Sequence, residues 1–319
     1  MLSRTADHLF WLARYMERAE FLARTIEATQ RLAALPMSYA GPGTEWESAL
    51  ESSGAAGGFR ATRGAIDEAS VVEFLTFAAD NPSSIRNCIE LARANGRAVR
   101  TALTMEVWDA INGAWIELKR FEDSNFGRGR FDREELSRFI EFVKKTSLDY
   151  DGSAHRTMLR SDAYWFSRLG LYIERADNTA RILDVKYHVL LPHDETVGGP
   201  LDYFQWTAIL RAVSSLNAYH WVYRESVKPW LVADLLILRA EMPRSLVACY
   251  SNIVQFLDSI AVAYSASGPA QAQAHEVMEH LERTTTKEIF KIGLHEFITD
   301  FVENTDRLGR AIHEQYLKY

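Results

Sequence analysis

The sequence predicts an all-α protein, a tandem-duplicated helical bundle with internal pseudo-two-fold symmetry. Three observations predict it. Apolar residues recur at the 3.6-residue helical period through most of the chain. No period-two run bounded by hairpin turn signals is present. The chain also matches itself: Tyr15 to Arg24 returns as Tyr172 to Arg181, an offset of 157 residues. Val71 to Ile85 and then Cys88 return as Val232 to Leu246 and then Cys249 at an offset of 161, while Trp46, Ala49 and Leu50 pair with Trp206, Ile209 and Leu210 at 160. Matches in one order with nearly constant offset indicate a repeated unit of about 160 residues. The two copies are expected at 1–150 and 151–319, joined at Asp151-Gly152, as one compact unit with a shared core.

The elements follow in order. From Ser3 to about Arg31, Leu9, Leu12, Met16, Ala19, Ala23 and Ile26 keep the helical period, and Pro36 marks the stop. Residues 36–64 are rich in Gly, Pro and Ser, with a short helix from Thr44, where Glu47 completes a capping box. Asp67 to Ala79 reads as a helix closed by Asn81-Pro82, and Ser83 or Ser84 can cap the next one, towards Val99. Helices to about Phe121 and from Asp132 to about Leu148 flank the Gly127-Arg128-Gly129-Arg130 turn. A long periodic segment from Ser153 to Leu191 carries the second copy of the motif and ends at Pro192 and Gly199-Pro200. Further helices are expected at Asp202–Tyr223, Trp230–Arg239, Arg244–Tyr264 and Ala270–Arg283, with breaks at Pro229, Pro243 and Gly268-Pro269, and Lys287 to Lys318 reads as one last helix.

Composition bounds the function. At 47% hydrophobic and 25% charged residues, the chain falls outside the disordered and fibrous classes. A net charge of −7 argues against a general nucleic-acid or anionic-membrane binder, which needs a basic excess. The apolar runs Trp230 to Leu238 and Ile260 to Ala266 fall short of the ~18 residues of a membrane span. The start, Met1 to Asp7, places an acid where a secretory apolar region would begin, and the reading is cytoplasmic. Cys88 and Cys249 hold equivalent places in the two copies, which suits small buried residues rather than a mutual disulfide.

The charged residues of the repeated helices carry the functional question. With Glu17 at zero on a helical wheel, Arg24 lies about 20° away, Arg14 about 60° and Arg18 about 100°, all on one flank. Leu9, Leu12, Met16, Ala19, Ala23 and Ile26 form an apolar arc wider than a surface helix needs, so the helix is central. In the second copy Glu174, Arg175, Asp177 and Arg181 repeat the set, but Leu171 stands where Arg14 would be. Arginine stays protonated and presents a planar fork of donors, which makes Arg14, Arg18, Arg24, Arg175 and Arg181 candidate anion-binding residues. Glu17 and Glu174 are candidate acid/base groups. The same residues also suit a purely architectural role, with Glu20–Arg24 and Asp177–Arg181 paired along their own helices and Glu17 and Glu174 paired across the helix interface.

Other constellations lack the spacing their chemistry needs. His275 and His280 are five apart and diverge by about 140° on a helix, so they form no zinc pair, and no metal site is expected. No Glu-x-x-His is present for a di-iron bundle, no glycine-rich loop carries the lysine of a phosphate cradle, and no cofactor is indicated. Trp46 and Trp206 read as core anchors. The stretch Phe59 to Gly64 and the trio Arg128, Arg130 and Arg133 read as solvated charge.

Taken together, Leu2-Ser3-Arg4, the run Trp11 to Glu20, Asn81 to Ile85, Ile173 to Arg181 and Pro243-Arg244-Ser245 resemble the Alpha-E family, bacterial helical proteins named for a Glu-Arg motif. The resemblance covers nearly the whole chain. It implies a setting beside circularly permuted ATP-grasp ligases, transglutaminase-like peptidases and proteasome-like peptidases. It therefore implies a component of an amide-ligase system for peptide synthesis or modification, binding the ligase or an anionic peptide or acyl group. A stand-alone enzyme using Glu17 or Glu174, and a structural scaffold, are the alternatives that the residues leave open. Glu20-Phe21 in the first copy against Asp177-Asn178 in the second shows that the two are not chemically equal.

Overall fold

The computed structural model describes residues 1–34, 44–124, 126–189 and 200–318. Among the described residues it is all-α, with fifteen α-helices and no strand. Helix α1 (Ser3–Ala33) and helix α8 (Asp162–Val189) form the centre. Apolar residues lie all round α1, and it buries Leu9, Leu12, Met16, Ala23 and Ile26 on one side and Phe10 and Phe21 on another, as a core helix must. Phe10 lies against Gly170 and Glu17 against Arg175, so the two helices run side by side in the same direction.

Around this pair the remaining helices close the core. From the N-terminal half, α5 (Ile85–Ala98) and α7 (Arg133–Thr157) pack on α1, with α6 (Met105–Asp123) against both. From the C-terminal half, α12 (Leu246–Tyr264) and α15 (Leu294–Ile312) pack on α8, with α13 (Pro269–Arg283) against both. Two short helices cross over: α2 (Thr44–Ser52) packs on α8, and α9 (Pro200–Ala212) packs on α1. Trp46 and Trp206 are buried on these crossing helices, as core anchors should be.

Local chemistry sets the ends. Ser84 caps α5 by accepting from the Asn87 amide, and Ser245 caps α12 by accepting from the Ala248 amide. Asn81 donates to the Phe74 carbonyl and accepts from the Ser83 amide, which turns the chain before α5. The expected stop at Pro36, the loop from Pro192 to Gly199 and the Thr44 side chain lie outside the described residues.

Four expectations need correction. Helix α7 runs through Asp151-Gly152 to Thr157, and the break falls at 158–161 instead. The segment expected as one helix from Asp202 to Tyr223 breaks at 213–215, where Ser214 has φ +57°, before α10 (Leu216–Tyr223). The last segment divides at Gly293, whose φ of +116° ends α14 (Thr286–Ile292) before α15 begins. Finally, α12 is by length and composition apolar enough to cross a membrane, a span that the shorter apolar runs had obscured. Half of that window is buried, where the helix packs on α8 and α13.

The closest approach of the central helices depends on Gly170. A β-carbon there would lie 2.2 Å from the Phe10 carbonyl oxygen and 2.9 Å from its carbon, atoms that cannot rotate away. Gly170→Ala should therefore push α1 and α8 apart and cost at least about 2–3 kcal/mol, measured by urea denaturation. Gly113→Ala on the exposed side of α6, where a β-carbon meets nothing within 4 Å, should instead stabilise by about 0.5–1 kcal/mol.

Candidate functional site

One turn beyond the Gly170 contact, the two Glu-Arg motifs exchange partners. Arg18 donates from Nε to Glu174 Oε1 at 2.6 Å and from Nη2 to Oε2 at 3.1 Å. In return Arg175 donates from Nε and Nη2 to the two oxygens of Glu17, at 3.0 and 2.8 Å. Each glutamate thus receives a bidentate arginine from the other half, the strongest geometry available to the pair. Glu17 and Glu174 expose only 1% and 2% of their surface, so neither keeps a hydration shell.

A second arginine completes each pair, from a different place in the two halves. Arg14 donates from Nε to Glu174 Oε2 at 2.7 Å. Leu171 cannot do the same for Glu17. There Arg244, at the start of α12, donates from Nη1 to Glu17 Oε1 at 2.9 Å and from Nη2 to Glu20 Oε1 at 2.8 Å. Ser83 holds the position 161 residues before Arg244, and Arg18 Nη1 reaches its Oγ at 3.5 Å. Glu20 also accepts from Arg24 Nε at 2.7 Å and from Ser147 Oγ at 2.8 Å. Asp177 accepts from Arg181 Nε at 2.7 Å.

The network therefore forms two groups. Arg14, Arg18 and Arg181 gather around Glu174 and Asp177, and Arg24, Arg175 and Arg244 around Glu17 and Glu20. All five arginines expected from the sequence are present, and Glu20–Arg24 and Asp177–Arg181 pair along their helices as expected. Two features were not expected. The charges that share one flank of α1 serve different groups, and Arg244 is a full member. The signal for Arg244 was present, since Pro243-Arg244-Ser245 stood out as a motif residue set, but its charge partner lies 227 residues away.

Electrostatics follow from this packing. Burial works to raise the Glu174 carboxyl, but Arg18 and Arg14 outweigh it and hold the group at about 2. Burial opposes ionisation of Glu20 too, and Arg244, Arg24 and Arg175 bring it to about 2. The Glu174 charge raises Arg18 further above its usual range. Burial pushes Asp177 up, against Arg181. A carboxylate held at about 2, with guanidiniums on both oxygens, is a weak base at neutral pH, so Glu174 is poorly suited to proton transfer. Glu17 is closed by geometry, with Arg175 on both oxygens and Arg244 on one.

Other sequence features resolve simply. Cys88 and Cys249 are buried free thiols, each pushed up to about 12 by burial. The stretch from Phe59 to Gly64 departs from the expected solvated connector: residues to Thr62 belong to a short helix (Ala56–Thr62), Phe59 is buried against Phe74, and the arginines pair with acids, Arg60 with Glu47 and Glu51 and Arg63 with Asp80 and Glu73. His275 pairs with Asp258 and His280 stacks on Phe297; among the described residues no cluster of metal-ligating side chains forms.

Two tests follow. Glu17→Gln and Glu174→Gln should each leave buried guanidiniums without a countercharge and cost about 3–5 kcal/mol, whereas Asp306→Asn, at the exposed pair with Arg310, should stay within about 0.5 kcal/mol. Glu174 and Glu20 lie below their ordinary value of 4.5, so their stabilisation is complete above about pH 4.5 and is lost as pH falls towards 2. Denaturation profiles between pH 5 and 2 should show roughly 3 kcal/mol of loss from Glu174, and a shallower slope in Glu174→Gln.

No curated relative and no solved structure matches the chain. A family model does: residues 1–317 match Alpha-E, described as a predicted alpha-helical domain with a conserved ER motif. The chain carries Glu-Arg dipeptides at Glu17-Arg18 and Glu174-Arg175, the pairs exchanged between α1 and α8, and it belongs to the Alpha-E family.

Proposed function

We propose that this protein is a non-catalytic helical component of an amide-ligase system built on a circularly permuted ATP-grasp ligase, acting in the bacterial cytoplasm on peptides or proteins. In this reading the Glu-Arg helices lock its two halves together and hold the outer surface that meets the ligase. The observation that carries the architectural part is the saturation of the motif: both glutamates are buried, and both receive bidentate arginines from the opposite half. A general acid or base needs a free lone pair or proton at the substrate, and a group so enclosed offers neither. Family membership supports the ligase setting.

The test is reconstitution with the permuted ATP-grasp ligase from the same genome. The two proteins should co-elute, and this chain should raise ATP-dependent amide formation by the ligase. Glu17→Gln and Glu174→Gln, assayed at a temperature where they remain helical by circular dichroism, should preserve that stimulation. Failure to associate and to stimulate would overturn the ligase setting. Loss of stimulation in a folded Glu17→Gln protein would overturn the architectural role and return Glu17 to acid/base chemistry.

A further inference from the structure

The two groups of the network are not equally closed. Around Glu17 and Glu20 the outer arginines are tied down: Arg24 uses Nε on Glu20 and Nη1 on the Ala212 carbonyl and Ser214 Oγ, both at 2.9 Å, and Arg244 uses both Nη groups. Arg181 stands 157 residues after Arg24 and makes no such anchor. Its Nε meets Asp177, and its Nη groups have no hydrogen-bond partner among the described residues. Among the described residues Arg14 likewise gives Nε to Glu174 and leaves both Nη groups unpartnered, while Arg18 Nη1 has only the long contact to Ser83. The Nη groups of Arg14 and Arg181 are not among the buried atoms that lack a partner, so they reach solvent. Side-chain exposures of 19% for Arg14, 23% for Arg18 and 36% for Arg181 agree.

We infer that Arg14, Arg18 and Arg181 form a preorganised site for an oxyanion, either a phosphoryl or a carboxylate group, on the open side of the Glu174 pair. Three guanidiniums face two carboxylates there, a local positive excess in a chain of net charge −7. The donors are also held in place. The Arg14 guanidinium stacks over Trp11 at 4.7 Å and lies 5.6 Å from the Phe10 ring, and Arg18 lies over Tyr15 at 5.8 Å. Rotamers of Arg14 and Arg18 already held by Glu174 and these rings add little ordering cost to binding. The forked donors of arginine match both oxyanion classes. The inference stands apart from the ligase setting, because it needs only the residues of this chain.

The probes are inorganic phosphate, pyrophosphate and glutarate, titrated at constant ionic strength by calorimetry and by the Nε–H resonances of Arg14 and Arg181. Pyrophosphate or glutarate should bind saturably, shift both resonances and raise Tm with the logarithm of ligand concentration. Preference for the phosphates over glutarate identifies a phosphoryl ligand, and the reverse a carboxylate. Arg181→Gln should weaken binding at least about tenfold; because it also leaves Asp177 without its cation, Tm without ligand should fall, and binding is measured at a temperature where circular dichroism shows the variant folded. Arg120→Gln, on exposed α6, should bind as wild type. Arg14→Gln provides a second loss where it folds, and Arg181→Gln decides the matter where it does not. Absence of saturable binding by all three probes, or undiminished binding in Arg181→Gln, would overturn the site.

Discussion

A carboxylate taken out of water must find cations within reach, and the rest of this structure is arranged around that requirement. Four acids, Glu17, Glu20, Glu174 and Asp177, sit in or at the edge of the contact between two long apolar helices, and six arginines answer them. Removing one partner would strand a charge at several kcal/mol, far more than an exposed pair is worth. Helices α1 and α8 are apolar over most of their circumference and could slide or rotate against each other with little loss of burial. The exchanged pairs accept one register only, and Gly170 permits the approach that brings those pairs into bonding distance. Specificity of packing is thus supplied by the polar residues, and bulk stability by the apolar ones.

The two groups reach the same count of three arginines to two acids by different means. Arg14 reaches Glu174 from within α1, whereas Arg244 reaches Glu17 from the start of α12. The substitution at one helix position, Leu171 where Arg14 would stand, is offset by Arg244 where the other half has Ser83. The result is one group closed by the Ala212 carbonyl and the Ser214 hydroxyl on Arg24 and another with open donors. The network thus has two chemically distinct sides.

Much of this was legible in the sequence, and the limits have physical causes. Helix α1, its central position and the local pairs Glu20–Arg24 and Asp177–Arg181 follow from periodicity and i, i+4 spacing, which are local quantities. Asp151-Gly152 misled because a glycine in a helix interior costs only about 1 kcal/mol, and the packing of α7 on α1 and α6 outweighs it. Gly293 was a visible signal of a break, overridden by the regular pattern on either side. Which arginine answers which glutamate was not legible, since Arg14, Arg18 and Arg24 share a flank of one helix and are sorted only by what packs there. For Arg244 the sequence marks a special residue but not its distant carboxylates.

The exchange also has a history within each molecule's synthesis. Helix α1 leaves the ribosome well before α8, carrying Glu17, Glu20 and a surface apolar on nearly every side, and this principal partner begins 159 residues later by position, Ser3 against Asp162. At translation speeds of about 5–20 residues per second, the nascent helix waits on the order of 10–30 seconds for its counterpart. During that wait the glutamates must stay hydrated or borrow other cations, and the apolar faces lie open to misassociation. The final closure joins segments of very large sequence separation, so its loop-closure entropy is a cost that the local helices do not carry. The arrangement that gives the folded protein its register thus leaves the emerging chain dependent on its own second half, or on a chaperone, for some tens of seconds.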